Sequence, residues 1–541
     1  MNAKKRFTRT EIITIVFFLC LTGFSFFWKG NTGFDADEQY AVATANRFLN
    51  GDRYMIDVFD AYQFSGLFES VLWGLSRNLS ANYPIHTYRF ISTLLFAAAG
   101  VPLWKYLREK TSEATAFLGY LVWVTALPKS IMSLEHAGLA KVMITYLLLV
   151  TERWMEGRKH PLLLGILISL LALSYPTMVV LAVPVFLFML IRRQYKEAGI
   201  FAAVCFLSAG AVFIPVVIQI GFDGLVHSLQ MIAMDASHTV TAAGKVASLQ
   251  KDGGEFAKYT LRMLEYGAAA GTGIKLYDLI RKRKTDLRAV VIAVSALPFL
   301  HVIAKLAAGR WTPLYLYDRY LLILLITIIV AAAEKRHSGL AAGMLLLFIW
   351  ITGFVTTNNG FYSPDGLIMI VTLLLAVILF SENRKKLVQG YLSAVLLSQC
   401  AGMVLTARLT STMSNTIYDE YFRIWNGLPG LKVEAASADF FSFSEYCIPL
   451  MESDNLVVSG YDGYAYIIAG KKVMAPVTMS TVVYGEQWET YYAERLPRDL
   501  NILSENDDFM TGDLLTILSE WYTEKAVTTR LGYTLYYLER K

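Results

Sequence analysis

Residues 11–28 read EIITIVFFLCLTGFSFFW, a run whose single charge, Glu11, sits at its edge. A helix needs about 20 mostly apolar residues to cross the hydrocarbon of a bilayer, and this stretch supplies them. Lys4, Lys5, Arg6 and Arg9 precede it, giving the opening the form of a signal peptide. The apolar stretch is long and no small-residue cleavage site follows, so we read it as a retained anchor.

The pattern recurs through most of the 541 residues, of which 55% are hydrophobic and only 17% charged. The mean hydropathy is +0.44. Soluble domains carry about 25% charged residues, so the composition describes a polytopic α-helical membrane protein. The formal net charge of +5 sits in short clusters between apolar runs and calls for no nucleic-acid partner. Cys20, Cys205 and Cys400 lie inside apolar runs and Cys447 stands alone, a set that builds neither a disulfide framework nor a CxxC metal site.

Cytoplasmic loops collect Lys and Arg. If the clusters at 4–9, 105–110, 153–159, 192–196, 281–284, 335–336 and 384–386 all lie inside, an even number of crossings separates each from the next. The runs near 11–28, 87–104, 113–131, 136–151, 161–175, 176–191, 198–220, 288–308, 319–333, 338–355, 365–381 and 388–407 then cross. So must 259–280, the weakest, which carries Arg262, Glu265 and Lys275. The expected total is about thirteen spans over residues 1–407, with the N-terminus cytoplasmic. Two long external loops are expected, 29–86 and roughly 221–258, the second rich in small and polar residues and read as mobile. Residues 408–541 read as a small extracytoplasmic α/β domain. NLVVSGYDGYAYIIAG (455–470) and YTLYYLER (533–540) have strand composition, and DLLTILSEWYTEK (513–525) has a helical apolar face. Tyr461, Tyr464, Tyr466, Trp488, Tyr491 and Tyr492 are read as core in preference to a sugar-stacking surface.

Just past the first run stands FDADEQYAV (34–42), with three acids together. The stretch 36–52 reads as an amphipathic helix, with Ala41, Ala45, Phe48 and Leu49 at helical spacing and Asn50–Gly51 as a stop. Asp35 falls at its N-cap, with Asp37 and Glu38 in its first turn, where acids suit the helix dipole. Capping alone accounts for two of the three. A second helix over 61–77 is apolar on one face, as helices lying along a membrane surface are.

Together, a first span, an external loop opening on Asp-Glu, two helices along the membrane and about thirteen spans resemble the glycosyltransferase C superfamily. The likeness is greatest to protein O-mannosyltransferases and the aminoarabinose transferases of lipid A. The positions matching the loop pattern are Asp37, Glu38, Tyr40, the small Ala41, Ala43 and Ala45, then Gly51, Asp57 and Asp60. AYQFSGLF stands where relatives often carry prolines. The family often has an acid where its third span meets its fourth, and SIMSLEHAGLAKV (130–142) supplies Glu135 with His136. Its late Arg-Tyr pair matches Arg319 and Tyr320 in LYLYDRYLLILL (314–325), preceded by Lys305 and Arg310. Tyr and Arg also anchor spans at the interface, a reading that covers Tyr315 and Tyr317.

The resemblance implies transfer of a sugar from a polyisoprenyl-phosphate or -diphosphate donor, with inversion, to a protein, lipid or cell-surface polymer at the outer face of the plasma membrane. Asp37 would be the general base. Asp35, Glu38 and Glu135 would share the reaction centre, orienting the acceptor or holding a metal. His136, Asp60 and Tyr320 would contact substrate, and Lys305, Arg310 and Arg319 would neutralise phosphate. Asp35-x-Asp37 has the form of a sugar-nucleotide metal motif, but family members divide on metal use, so a divalent cation such as Mg or Mn stays open. A transporter or flippase of a lipid-linked sugar is the rival reading. Such proteins show internal repeats and mid-bilayer charges, and this chain displays neither clearly.

Overall fold

The computed structural model describes residues 8–127, 131–234, 242–284, 286–308, 320–356, 365–382, 384–410, 435–460, 463–479, 485–505 and 509–541. The opening run is helix α1 (Arg9–Gly30), begun by a capping box in which the Thr8 and Glu11 side chains each bond the other's backbone N–H. There follow α2 (Ala36–Leu49), α3 (Gln63–Leu79), α4 (Pro84–Ala99), α5 (Val101–Lys110), α6 (Glu113–Thr125), α7 (His136–Met155) and α8 (Pro161–Ser174). A 3-10 turn at Pro176–Leu181 leads into α9 (Ala182–Ile191), then α10 (Tyr195–Ala233), α11 (Ala242–Ile280) and α12 (Leu287–Ala307). The bundle closes with α13 (Tyr320–Ala333), α14 (His337–Thr356), α15 (Asp365–Phe380) and α16 (Lys385–Thr410).

Among the described residues, five helical stretches are long and apolar enough to cross a membrane: α1, Pro84–Lys110, α10, α14 and Lys385–Val404. Five shorter apolar helices accompany them. The fold is thus a helical bundle of membrane character carrying a small sheet. Among the described residues the apolar runs fall largely on helices, and so do the described parts of the expected loop 221–258, residues 222–233 and 242–258. α10 continues through it to Ala233, bent at Gly221 (φ 75°), and α11 starts at Ala242. Helix formation by long segments overrides a composition that only weakly disfavours it.

Ion pairs tie the basic clusters together at one end of the bundle. Lys385 reaches Glu11 at 2.6 Å, Arg288 reaches Glu334 at 2.6 Å, and Arg336 reaches Glu382 at 3.0 Å. Arg384 pairs with Asp278 in a buried contact, Gln389 bonds Ser112, and Arg153 approaches Glu109 at 3.4 Å.

At the other end lies the C-terminal unit, with α17 (Ala435–Cys447), β1 (Asn455–Ser459), α18 (Tyr464–Ile468), β2 (Lys472–Val473), α19 (Gly485–Glu494), β3 (Asp499–Glu505), α20 (Phe509–Leu518), β4 (Tyr522–Arg530) and β5 (Tyr533–Arg540). The sheet order is β2-β1-β3-β5-β4, parallel on the β2-β1-β3 side and antiparallel beyond. Two local readings change. Tyr464–Ile468 is a helix, and the helix of 513–525 ends at Leu518, so that Tyr522–Lys525 opens β4. Strand-like composition does not fix a five-residue segment whose partners are distant. Tyr464, Tyr466, Trp488, Tyr491 and Tyr492 are buried core, while Tyr461 lies outside the described residues.

This unit sits directly on the loop after α1. Thr44 and Thr478 hydroxyls are 2.9 Å apart, Asn46 donates to the Tyr466 carbonyl at 3.0 Å, Phe59 N–H to that of Pro476 at 2.8 Å, and Arg495 to that of Ile56 at 2.6 Å. Two glycines set the closeness. A Cβ on Gly66 of α3 would stand 2.7 Å from Thr44 Cγ2, and one on Gly463 would stand 3.2 Å from the Gln39 carbonyl. α2 is therefore buried over Glu38–Arg47 except at the half-buried Tyr40. α3 does keep an outward apolar stripe, with Phe68, Val71, Leu75 and Leu79 exposed, and turns Ser65, Glu69 and Ser76 inward.

Candidate functional site

The acid cluster divides into roles. Asp35 is the N-cap of α2, its carboxylate accepting from Asp37 N–H at 3.0 Å. It is open to solvent on one side and crowded by protein on the others. That crowding, ahead of the negative charges of Asp37 and Glu38, pushes its carboxyl up, against the pull of the Asp37 N–H and Lys29. Asp37, one turn in, is half-buried.

Glu38 is fully enclosed, and the Arg89 guanidinium of α4 takes both its oxygens, Nε to Oε1 at 2.8 Å and Nη2 to Oε2 at 2.6 Å. Arg89 also donates to the carbonyls of Gly30 (2.9 Å) and Gly33. One side chain thus clamps the α1–α2 turn and aims the first turn of α2. The sequence reading overlooked Arg89, although a charge inside the apolar run 87–104 was its signal.

The second acid arrives from α7. Glu135 is the N-cap, with Oε1 accepting from Gly138 N–H at 3.2 Å and Oε2 standing 2.6 Å from His136 Nδ1. The His136 ring stacks on Tyr62 at 4.0 Å and 17°. Tyr175 packs against both, 5.4 Å from Tyr62 and 5.2 Å from His136. Tyr175 occupies the break between α8 and the 3-10 turn because Pro176 disfavours helix at the residue before it. Residues distant in sequence, Tyr62, Glu135, His136 and Tyr175, therefore meet in one place.

Asp60 supports this group from behind. It accepts from the Tyr40 hydroxyl and, at 2.6 Å, from Tyr62 N–H, so it holds Tyr62 in register for the stack. Glu69, which the sequence reading passed over, is also here. It is fully buried, accepts from the Tyr88 hydroxyl at 3.0 Å, and its Oε1 has no hydrogen-bond partner. Burial, then the charges of Glu135 and Glu38, push its carboxyl far up. The signal was a lone acid among the inward Ser65, Gly66, Trp73 and Ser76 of α3.

The expected phosphate cations are not all in view. Arg310 and Arg319 lie outside the described residues, as does the side chain of Lys305. Tyr320 is placed in the core, its hydroxyl donating to the Ser295 carbonyl at 3.1 Å and its ring edge-on to Phe299. It packs α13 on α12. Lys141, buried, donates to the carbonyls of Trp123 and Ala126 at 2.9 and 2.8 Å and closes the end of α6.

An apolar groove of about 320 Å³ lined by Trp154, Leu164, Leu181, Phe188, Met344 and Phe348 opens near the far end of α7, roughly 27 Å from His136 at 1.5 Å per residue. Among the described residues, no three His, Cys, Asp or Glu side chains gather as metal ligands. Asp35 is engaged at its cap and Glu38 by Arg89, and no step is routed through a divalent cation. A scan against protein-family models and a search of curated proteins found no match for this chain.

Proposed function

We propose that the chain is a membrane glycosyltransferase of the glycosyltransferase C type. It takes a sugar from a polyisoprenyl-phosphate or -diphosphate donor and passes it to an acceptor on a protein, lipid or cell-surface polymer at the outer face of the plasma membrane. The observation that carries this reading is the Glu135–His136 pair stacked on Tyr62, a residue of the same external loop as Asp37 that Asp60 holds in place. The topology supports it as well. The basic clusters share one end of the bundle, assigned to the cytosol by the positive-inside rule. The acids and the C-terminal unit share the other, as an odd number of crossings requires.

In the reaction, Asp37 removes the proton from an acceptor hydroxyl or amine as that atom bonds the anomeric carbon. The carbon–oxygen bond to phosphate breaks on the opposite face, the leaving phosphate keeps the electron pair, and configuration inverts. Glu135 and His136 orient the acceptor. Glu38 and Arg89 fix the turn that presents Asp37, so Glu38 is a positioning residue. Lys305, Arg310 and Arg319 are assigned to the departing phosphate.

The test is sugar transfer from radiolabelled polyisoprenyl-phosphate sugars in membranes holding the wild type or Asp37→Asn. The variant is expected to insert and fold normally while losing transfer. Full transfer by Asp37→Asn would remove the assignment, and flux of intact lipid-linked sugar in proteoliposomes with no product would replace it with a flippase.

A further inference from the structure

Away from the acid group, a polar cavity of about 480 Å³ opens where the loop after α2 meets the edge strand of the C-terminal sheet. Its lining includes Arg47, Arg53, Lys471 and Lys472, four cations against the two carboxylates Asp52 and Asp57. Arg47 is 1% exposed. Its Nε donates to Asp52 at 2.7 Å and its Nη2 to the Asp57 carbonyl at 3.0 Å. Its Nη1 is buried with no hydrogen-bond partner, while Asp52 balances the charge of the guanidinium.

Arg53 holds Asp57 through both carboxylate oxygens. Burial works to raise Asp57, but the bonds from Arg53 outweigh it and keep that acid below its usual range. Lys471 pairs with the fully exposed Asp454 at the rim, and Lys472 is exposed beside it. The C-terminus of α2 adds a partial negative charge of about one half, which does not cancel the cationic excess.

We infer that this cavity is a binding site for a phosphorylated, sugar-sized ligand, with Arg47 and Arg53 in its wall and Lys471 and Lys472 at its mouth. Guanidinium forks match phosphate geometry, and the volume lies within the range of small-ligand pockets, about 300–1,000 Å³. Arg47 stands ten residues from Asp37 on the same helix, roughly 15 Å along its axis. The inference stands on the cavity alone and does not need sugar transfer.

Inorganic pyrophosphate titrated into the full-length protein in neutral-lipid nanodiscs tests it, read as a saturable rise in melting temperature that weakens with added salt. Lys471→Glu/Lys472→Glu, a change at the rim that leaves the core intact, is expected to weaken the apparent affinity by about tenfold or more, since charge-assisted bonds carry it. Arg47→Gln is expected to abolish binding. Asp37→Asn is expected to bind as the wild type does, which separates this site from the proposed transfer chemistry. Phosphatidylglycerol in the nanodisc displaces pyrophosphate if the natural ligand is a lipid headgroup, and leaves it bound if the ligand is soluble. No saturable effect in the wild type, or an unchanged affinity in the double lysine variant, would overturn the inference.

Discussion

Glu38 and Arg89 form a fork-to-fork pair, with bonds of 2.8 and 2.6 Å and side chains only 3% and 2% exposed. Removing one partner strands the other charge in a place water does not reach. Arg89→Ala also frees the Gly30 and Gly33 carbonyls, and is expected to destabilise the protein by about 3–5 kcal/mol. Arg89→Lys keeps the charge but loses the fork, and is expected to recover only part of that. Thermal unfolding in detergent measures both, and a wild-type melting temperature for Arg89→Ala would contradict the clamp.

The two reacting-side acids predict matched losses. Glu135→Gln keeps an oxygen for the α7 cap, so folding is expected to persist, while acceptor orientation through His136 is lost. Transfer is expected to fall by about 100-fold, the loss that misplacing a reacting group by about 1 Å produces. A loss confined to acceptor KM would instead make Glu135 a binding residue only.

Glu69 carries a pH signature. Its carboxyl is raised far above its ordinary value of 4.5 by burial and by Glu135 and Glu38. The folded state therefore binds this proton more tightly than the unfolded chain does. That contribution to stability is complete below about pH 4.5 and declines as pH climbs toward the raised value. Glu69→Gln, neutral at every pH, is expected to flatten the decline. Parallel melting-temperature curves for variant and wild type between pH 5 and pH 9 would exclude it (a span of about 4 units, wide enough for one titration).

The seat of the C-terminal unit on α2 predicts a crosslink. With the Thr44 and Thr478 hydroxyls 2.9 Å apart, the double variant Thr44→Cys/Thr478→Cys is expected to form a disulfide under mild oxidation, counted as two thiols lost to alkylation. Persistent free thiols would mean that the contact is not made in the membrane.

Sidedness is checked by thiol labelling in a background without native cysteines. Asn50→Cys and Asp454→Cys, both exposed, are expected to react with an impermeant reagent in intact cells, whereas Arg158→Cys and Lys386→Cys are not. Labelling of Asn50→Cys only after lysis would invert the proposed orientation.

Helix positions were legible because a bilayer-length apolar run has few alternatives, and Asp35 was legible as a cap because capping is local. Arg89 and Glu69 were not, since each looks like a stray charge until α2, α3 and α4 are brought together. The same holds for Tyr175, whose importance comes from a proline break opposite Glu135. Composition also misjudged 222–233 and 242–258, where long helices absorb residues that favour loops in isolation.

The chain's own pattern of apolar runs and basic clusters determined a helical membrane protein with a separate C-terminal unit, because hydration of charge and burial of hydrocarbon are read residue by residue. Which carboxylates lie side by side, which one is tied to an arginine, and where Arg47 is left with an open donor were decided only by tertiary packing. Those properties depend on distances between segments far apart in the chain, and electrostatic energy falls off over a few ångströms that no local pattern encodes.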